Sequence, residues 1–465
     1  MSRFYGREEE LRKLNRRYAG DQFECIVIYG RRRVGKTALI SEFCKDKPTV
    51  FFSALNTTAQ ENLKALSRAI NAFERPDSPS SAAFPDYDAA FKEIASLAQG
   101  RRLAVVIDEY PCLAKAFPAV SAMLQHLIDH KWSETRIFLI LCGSSMSFME
   151  RQVLGQESPL YGRRTGQFRI EPMDYRTTAL FHPELSCEDH ALIYGITGGV
   201  PHYINKLGVR DSVDEALLEN FFDRSACLYE EPENLLKQEL RELAVYNAII
   251  GAIAEGASRL NEIAAKTGEQ AMTVANYLKT LIELKIVKRE TPAAEKPGRK
   301  SVYLLADNFF RFWYRFVPKN MSAIASGRIS RSYAQAIRAF FPDYMGLVFE
   351  QMCREYLLLY AEGLPIELNE AGQWWGTDPV LKKEVQIDIV GTSSAGREFL
   401  FGSCKYRNEK AGLDELELLR RYASVFGKGD RRHYIIFSKS GFTESLLEAG
   451  ARGEVRLVTL EDMYR

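Results

Sequence analysis

Metal-binding and disulfide-forming patterns are missing from this sequence. Its 465 residues include eight cysteines and six histidines, with no C-x-x-C pair and no histidine spacing typical of metal ligands. Cysteines scattered through apolar stretches are typical of reduced core residues. The pattern therefore argues against a disulfide framework or a zinc site, and it predicts a cytoplasmic protein.

Long apolar runs and an excess of one charge are also missing. No run approaches the roughly 20 residues that span a membrane, and the opening residues, MSRFYG, contain no apolar signal core. The formal net charge is only +1, so any surface that attracts nucleic acid must be local. We therefore expect no membrane partner, in a chain long enough for about three domains.

The most informative stretch that is present is GRRRVGKT at residues 30–37, which fits the P-loop pattern G-x-x-x-x-G-K-[ST]. An apolar strand precedes it and a helix-compatible stretch follows, which is the context that a phosphate-binding loop requires. Its glycines let backbone N–H groups surround a phosphate, Lys36 adds a positive charge, and Thr37 offers a hydroxyl to Mg²⁺. The predicted nucleotide-binding residues are Gly30, Arg31, Arg32, Arg33, Val34, Gly35, Lys36, Thr37 and Ala38.

A second acidic element, LAVVIDE, follows at residues 103–109. It is an apolar run that ends in two carboxylates, as a buried parallel strand presents at its carboxyl edge. Asp108 is placed to hold Mg²⁺ and Glu109 to polarise the attacking water. The alternative is a strand that ends in a solvated acidic turn, but the order of the two elements favours nucleotide hydrolysis.

Strands and helices alternate up to about residue 210, which predicts a parallel α/β sheet. A polar residue, Ser144, follows the fourth strand and is placed near the γ-phosphate; a serine-rich turn is the alternative. Arg163 and Arg164 precede the fifth strand, where they would lend positive charge to a transferring phosphoryl group, or form a solvated loop. The predicted strands are 24–29, 49–53, 103–107, 136–141 and 167–170, and residues 74–85 are predicted to be a surface loop.

Five segments together resemble the archaeal-type AAA+/STAND ATPases, relatives of origin-recognition ATPases. They are FYGREEEL at 4–11, the P-loop, IDE at 107–109, GSS at 143–145 and GGVP at 198–201. The resemblance implies a small helical lid around the GGVP segment. An N-K-x-D element does not follow, which favours ATP over GTP.

The same resemblance implies roles for individual residues. Gly6, Arg7 and Glu8 would line the nucleobase side of the site. Ser144 would take the sensor position, and Arg163 or Arg164 would be an arginine finger that acts across a homo-oligomer interface.

Residues 235–306 have the pattern of a winged helix-turn-helix. One helix is predicted at 235–254, and two more at 260–264 and 272–284. A hairpin follows, with the basic residues Lys296, Arg299 and Lys300 at its tip. A basic wing contacts DNA phosphates, but the third helix offers few positive charges, so a protein-contact or packing role is the alternative.

An aromatic run, DNFFRFWYRF, follows at residues 307–316. Such a run suits either a base-stacking platform or a core helix that closes against the next domain. The core helix is the interpretation that we favour.

The C-terminal part has the skeleton of a PD-(D/E)XK nuclease, with Glu350 on a helix, Asp388 on one strand and Lys405 on the next. It resembles the domain of uncharacterised function that accompanies this ATPase family. That family usually carries Glu-x-Lys, whereas this chain has Ser403 at the acidic position, and a serine cannot supply the charge that Mg²⁺ requires. We therefore predict a vestigial nuclease site, unless Glu415 or Glu417 replaces the missing acid.

The sequence thus predicts an ATP- and Mg²⁺-dependent ATPase that acts as a switch on double-stranded DNA and carries a degenerate nuclease-like domain. The alternative is a nucleotide-gated protein interaction scaffold without a DNA role. A basic face shared by the wing and the C-terminal domain would favour the first, and an exposed apolar face the second.

The expected division is 1–175 for the ATPase core, 176–234 for the lid, 235–306 for the winged helix, 307–340 for an aromatic linker and 341–465 for the nuclease-like domain.

Overall fold

The computed structural model describes residues 4–76, 82–296, 298, 300–380, 382–394 and 396–465. The wing residue Arg299, the opening residues 1–3 and the centre of the predicted loop at 74–85 lie outside this set. The chain divides into two units, the first comprising Met1–Met173 with Val200–His202 and the second Asp174–Gly199 with Tyr203–Arg465. None of the described helices is both long and apolar enough to cross a membrane.

The first unit contains a five-stranded parallel sheet. Its strands are β1 (Glu24–Tyr29), β2 (Thr49–Ser53), β3 (Leu103–Asp108), β4 (Ile137–Gly143) and β5 (Gly166–Arg169). Their order is β2-β3-β4-β1-β5, so the carboxyl ends of β1, β3 and β4 lie next to one another. This sheet confirms the predicted α/β fold of a P-loop protein.

Both faces of this sheet are covered, which explains why its three central strands, β1, β3 and β4, are nearly continuous apolar runs. Successive side chains point to opposite faces of a strand. Ile26 and Ile28 of β1 accordingly belong to one apolar cluster, and Val27 and Tyr29 to another. The α-helices of this unit are α1 (Glu8–Tyr18), α2 (Lys36–Cys44), α3 (Ala59–Glu74), α4 (Tyr87–Leu97), α5 (Tyr110–Ala116), α6 (Val120–His130) and α7 (Met146–Phe148).

The α-helices after residue 173 belong to the second unit, except for the first two residues of α10. They begin with α8 (Tyr175–Ala179), α9 (Cys187–Thr197), α10 (Pro201–Leu207), α11 (Val213–Asn220) and α12 (Cys227–Glu239). Next come α13 (Leu243–Ala254), α14 (Leu260–Thr267), α15 (Ala271–Glu283), α16 (Asn308–Phe316), α17 (Met321–Ala325) and α18 (Ile329–Ala336). The last are α19 (Phe341–Leu359), α20 (Leu413–Phe426), α21 (Glu444–Ala451) and α22 (Leu460–Tyr464).

The single helix predicted at 235–254 is wrong, because the structure has two helices there. The backbone of Leu240 is extended, with φ −128° and ψ 152°, and this ends α12 before α13 begins at Leu243. The apolar spacing continues across the break, so the pattern alone did not reveal it.

Two strands, β6 (Val287–Glu290) and β7 (Val302–Leu305), form an antiparallel pair after α15. The aromatic helix α16 follows them, and Phe309, Phe310 and Phe312 on it are fully buried. The Asp307 carboxylate accepts hydrogen bonds from the first N–H groups of this helix and so caps it. The core-helix interpretation of the aromatic run is confirmed, because bases cannot stack on rings that are buried.

The second large sheet has the strand order β12-β11-β10-β9-β8. Strand β9 is antiparallel to β8 and β10, whereas β11 is parallel to β10 and β12. An apolar cluster packs its strands against α20 and α21. The strands are β8 (Leu368–Thr377), β9 (Glu384–Ser393), β10 (Glu398–Lys405), β11 (Arg431–Ser438) and β12 (Arg456–Thr459).

Candidate active site

The loop between β1 and α2 needs glycine at two positions. A Cβ atom on Gly30 would lie 2.2 Å from the carbonyl oxygen of Ile170, which is inside van der Waals contact. Gly35 has φ 94°, in the region that favours glycine, and Arg33 also has a positive φ of 70°. These dihedrals produce the tight turn that the P-loop pattern predicts.

Lys36 begins α2 and is buried inside this loop. Its Nζ donates hydrogen bonds to the carbonyl oxygens of Gly30, at 2.9 Å, and Arg31, at 2.7 Å. Burial lowers the pKa of the Lys36 ammonium, because desolvation disfavours the charged form. The loop is therefore closed around a cation, at the position where the sequence predicts a bound phosphate.

Two carboxylates at the end of β3 face this loop. Asp108 is buried, and its Oδ2 accepts a hydrogen bond of 2.9 Å from the Thr37 hydroxyl. Its Oδ1 accepts the Glu109 N–H at 3.0 Å. A hydroxyl and a carboxylate held together in this way are hard oxygen ligands of the kind that Mg²⁺ prefers.

Glu109 lies at the junction between β3 and α5 in a left-handed conformation, with φ 51°. Such a conformation is uncommon for a residue other than glycine and is found preferentially at functional sites. The Ser144 Oγ, just beyond β4, lies 2.9 Å and 3.0 Å from the two carboxylate oxygens of Glu109 and donates its single proton to this carboxylate. The structure thus brings Lys36, Asp108, Glu109 and Ser144 together from the ends of three adjacent strands.

Arg7 is buried and connects the N-terminal helix to the phosphate loop. Its guanidinium donates to the carbonyl oxygens of Val34, at 3.2 Å, and Glu171, at 2.5 Å, and to the Glu10 carboxylate at 3.1 Å. These bonds give Arg7 a role in positioning the loop. Its neighbours take part in a local turn, in which the N–H of Gly6 donates to the Glu8 carboxylate at 3.1 Å.

The two candidate finger arginines bond within their own chain. The Arg163 guanidinium makes a two-pronged ion pair with Asp129, with distances of 3.0 Å and 2.9 Å. The Arg164 Nη1 donates to the carbonyl oxygen of Leu154 at 2.9 Å. A role across an interface would therefore require Arg163 to leave Asp129, and the finger stays a prediction.

A histidine that the sequence analysis missed contacts the phosphate loop. The Nη1 of Arg33 lies 2.5 Å from the Nε2 of His202, and a Cβ on Gly35 would lie 3.8 Å from the Pro201 ring. His202 directly follows the GGVP segment, and this position is the one feature of the sequence that could have indicated its proximity to the loop. An isolated histidine carries no spacing pattern of its own, so only the fold places it beside the loop.

The predicted nuclease residues are held by protein partners. Asp388 Oδ2 accepts the Cys404 N–H at 2.8 Å, and the Glu350 carboxylate accepts a hydrogen bond of 3.3 Å from Gln373. Burial, with a further contribution from Asp388, raises the pKa of Glu350 to about 8. Within the described residues there is no group of three or more His, Cys, Asp or Glu side chains suited to a metal ion.

The lysine of this C-terminal site pairs with a helix acid. Lys405 Nζ lies 2.9 Å from Glu415 Oε2, while Glu417 is exposed and Ser403 is buried. Glu415 is thus the one of the two proposed substitute acids that meets Lys405. Both carboxylate oxygens of Glu415 are occupied, because one forms an ion pair with Lys405 and the other with Arg407.

The segment between β6 and β7 packs on β8. The Ala293 N–H donates to the Gln373 carbonyl oxygen at 2.8 Å, and the Trp375 indole N–H donates to the Lys300 carbonyl oxygen at 3.1 Å. The Lys300 ammonium also pairs with Glu295 at 3.0 Å. Much of the predicted wing therefore has a packing role.

Comparisons with known proteins agree with this geometry. A family described as an ATPase domain predominantly from Archaea matches residues 4–207, and a family of archaeal and bacterial proteins of unknown function matches residues 313–416. The uncharacterized protein MJECL04 of Methanocaldococcus jannaschii is 32% identical over 470 residues, which cover 99% of each chain. The uncharacterized ATP-binding protein MJ0423 of the same organism is 48% identical over 44 residues, which are 10% of this chain and 75% of that protein.

Solved structures show the same fold. The Walker-type ATPase PABY2304 of Pyrococcus abyssi has 20% sequence identity and a TM-score of 0.53. The match covers 67% of this chain and 96% of the other.

Proposed function

The chain belongs to the same family as the uncharacterized protein MJECL04 of Methanocaldococcus jannaschii, and its residues 4–207 match an ATPase domain found predominantly in Archaea; we propose that it binds Mg²⁺ and ATP in its first unit and uses ATP hydrolysis as a switch. The observation that carries this proposal is the hydrogen bond of the Ser144 hydroxyl to Glu109, beside the Thr37–Asp108 pair. These contacts join a water-activating carboxylate and two candidate metal ligands at one edge of the sheet.

Each residue at this edge has a separate task in the proposed reaction. Lys36 exchanges its two carbonyl partners for phosphate oxygens. Thr37 and Asp108 would hold Mg²⁺, which neutralises charge that develops on the phosphates. Glu109 accepts a hydrogen bond from the attacking water and is oriented by Ser144.

We propose DNA as the partner of the switch, through a winged helix formed by α13, α14, α15, β6 and β7. The basic surface available for this contact is small. Lys279 on α15 and Lys296 beyond β6 are exposed, whereas the ammonium of Lys300 is paired with Glu295. The packing of the wing on β8 favours the second candidate function, a nucleotide-gated scaffold for protein partners.

The rate of ATP hydrolysis with and without duplex DNA separates these two functions. We expect duplexes of unrelated sequence to stimulate the full chain at low salt and to lose this effect as salt rises. Lys279→Ala and Lys296→Ala should each reduce the log–log salt slope of binding by about 0.9, because each removes one phosphate contact. Lys300→Ala is the matched control and should leave the slope unchanged, since its charge is already paired. Hydrolysis that DNA does not change at any salt concentration would exclude DNA as the partner and leave the scaffold function as the remaining candidate.

We propose that the C-terminal sheet is a nuclease-like fold whose metal site has decayed. Asp388 lies on β9 and Lys405 lies on the neighbouring strand β10. The charge of Lys405, however, is neutralised by its ion pair with Glu415. Ser403 and Lys405 lie two residues apart on β10, so their side chains share a face. A carboxylate at position 403 would therefore project on the same side as the lysine.

We expect purified wild-type protein to leave supercoiled plasmid intact in Mg²⁺. Ser403→Glu should produce nicked plasmid because it restores an anionic Mg²⁺ ligand. Ser403→Gln, which has nearly the same shape without the charge, is the control and should not nick. Efficient wild-type cleavage that Asp388→Ala abolishes would show that the site is active and that another acid, Glu350 or Glu415, completes it.

A further inference from the structure

Two histidines lie about one turn apart on helix α6 of the first unit. His126 and His130 are both exposed, and the centroids of their rings lie 4.5 Å apart, with an angle of 53° between the ring planes. Side chains four positions apart are neighbours on the surface of a helix. Two histidines at this spacing are also the pair that binds zinc in the H-E-x-x-H helix of metalloproteases.

These two rings differ from the other histidines in their lack of protein partners. The four other histidines each place a ring nitrogen near a polar group of the protein. They are His182 beside Glu184, His190 beside the carbonyl oxygen of His182, His202 beside Arg33, and His433 beside Glu398. Within the part of the chain that the structure describes, neither His126 nor His130 has a hydrogen bond or an ion pair. Their ring nitrogens are therefore available to a ligand from solvent.

The separation of the two rings suits a shared metal ion. A bond from zinc to an imidazole nitrogen is about 2.0–2.1 Å long, so two nitrogens on one ion lie roughly 3–3.5 Å apart. Exposed side chains change rotamer readily, and rings with centroids 4.5 Å apart need only a small rotation to reach this separation. Imidazole suits Ni²⁺, Cu²⁺ and Zn²⁺, whereas Mg²⁺ and Ca²⁺ prefer oxygen ligands. The donor atoms therefore select a transition-metal ion.

The charged groups beside the pair leave the ion to the two imidazoles. Asp129 precedes His130, but both of its carboxylate oxygens accept hydrogen bonds from Arg163, at 3.0 Å and 2.9 Å. Lys131 follows the last residue of α6 and is exposed, so solvent screens its charge. The carboxyl end of a helix carries a partial negative charge that favours a cation near His130. Binding thus depends on the geometry of two neutral ring nitrogens and needs no excess of negative charge.

We propose that His126 and His130 bind one divalent transition-metal ion of the class Ni²⁺, Cu²⁺ and Zn²⁺. The two ring nitrogens supply two ligands, and water completes the coordination shell. The expectation that the histidines lack a ligand spacing is wrong for this pair. A spacing of four brings two side chains together only on a helix, and α6 supplies that helix.

Calorimetric titration of the full chain with Ni²⁺ tests this site. Excess Mg²⁺ is present throughout, because it occupies oxygen ligands such as Thr37 and Asp108 and competes poorly for imidazole. We expect the wild type to bind one Ni²⁺ per chain on α6. His126→Gln and His130→Gln should each weaken this binding by about tenfold or more, because the second ligand of a tethered pair acts at a high effective concentration. Both side chains are exposed, so neither change disturbs the core.

Two double variants test the spacing itself. Ala122→His with His130→Gln forms a new pair one turn earlier, since residue 122 is exposed on α6 and lies four positions before His126. It should restore affinity close to that of the wild type. Gln125→His with His130→Gln is the matched control, because it has the same number of histidines at adjacent positions that do not face each other. It should bind Ni²⁺ as weakly as His130→Gln.

Three results would overturn the proposal. The first is a wild type that binds Ni²⁺ no more tightly than His126→Gln and His130→Gln. The second is a matched control, Gln125→His with His130→Gln, that binds as tightly as the wild type. The third is Ala122→His with His130→Gln remaining as weak as His130→Gln alone, since a pair of histidines at the right spacing would then not be sufficient.

Discussion

Glu109→Gln should bind Mg-ATP as the wild type does and hydrolyse it at least 100-fold more slowly, because general-base catalysis contributes roughly 10²–10⁴ in rate. Glutamine keeps the size of the side chain and an oxygen that accepts the Ser144 hydroxyl, so the local geometry survives. It cannot accept a proton from water. Phosphate release under saturating ATP measures the rate, and filter binding of labelled ATP measures the affinity.

Glu157→Gln is the control for this experiment, since Glu157 is an exposed carboxylate of the same unit. It should hydrolyse ATP at the wild-type rate. Ser144→Ala should give an intermediate rate, because Glu109 keeps its charge and loses the group that orients it. If Glu109→Gln turns over ATP as fast as the wild type, the base lies elsewhere and the proposed assignment fails.

Lys36→Ala should lose ATP binding, which is the second large effect that we expect. In the wild type, ATP at about 100-fold its dissociation constant adds about 2.7 kcal/mol to the free energy of unfolding and so raises the melting temperature. The variant lacks the ammonium that the loop encloses between the carbonyls of Gly30 and Arg31. Its melting temperature should therefore not respond to Mg-ATP.

Lys45→Ala is the matched control, because this lysine follows α2 in an exposed pair with Glu42. It should keep the full response to Mg-ATP. The variant Lys36→Ala is also compared with the wild type without nucleotide, since loss of two hydrogen bonds to buried carbonyls lowers stability by itself. A wild-type melting temperature that stays constant at millimolar Mg-ATP would refute nucleotide binding in the first unit.

Much of the first sheet could be predicted from the sequence, because the apolar pattern of each strand lies within a few consecutive residues. The strands predicted at 24–29 and 49–53 match β1 and β2, and the acidic strand extends by one residue to Asp108. A strand that is buried on both faces must be apolar throughout, and this requirement is visible in a short window of sequence. The break at Leu240 was invisible, because apolar periodicity does not report a single residue with an extended backbone.

The sequence alone determined the phosphate loop, the acidic strand end and the burial of the aromatic helix, since each depends on neighbours within about ten positions. The tertiary structure decided which side chains from distant segments meet. Examples are Ser144 with Glu109, Arg163 with Asp129, and Lys405 with Glu415.

It also decided that the wing packs on β8. The physical reason is that a spacing pattern specifies the shape and polarity of one element. The partner of a charged or hydrogen-bonding group, however, is set by how separate elements pack.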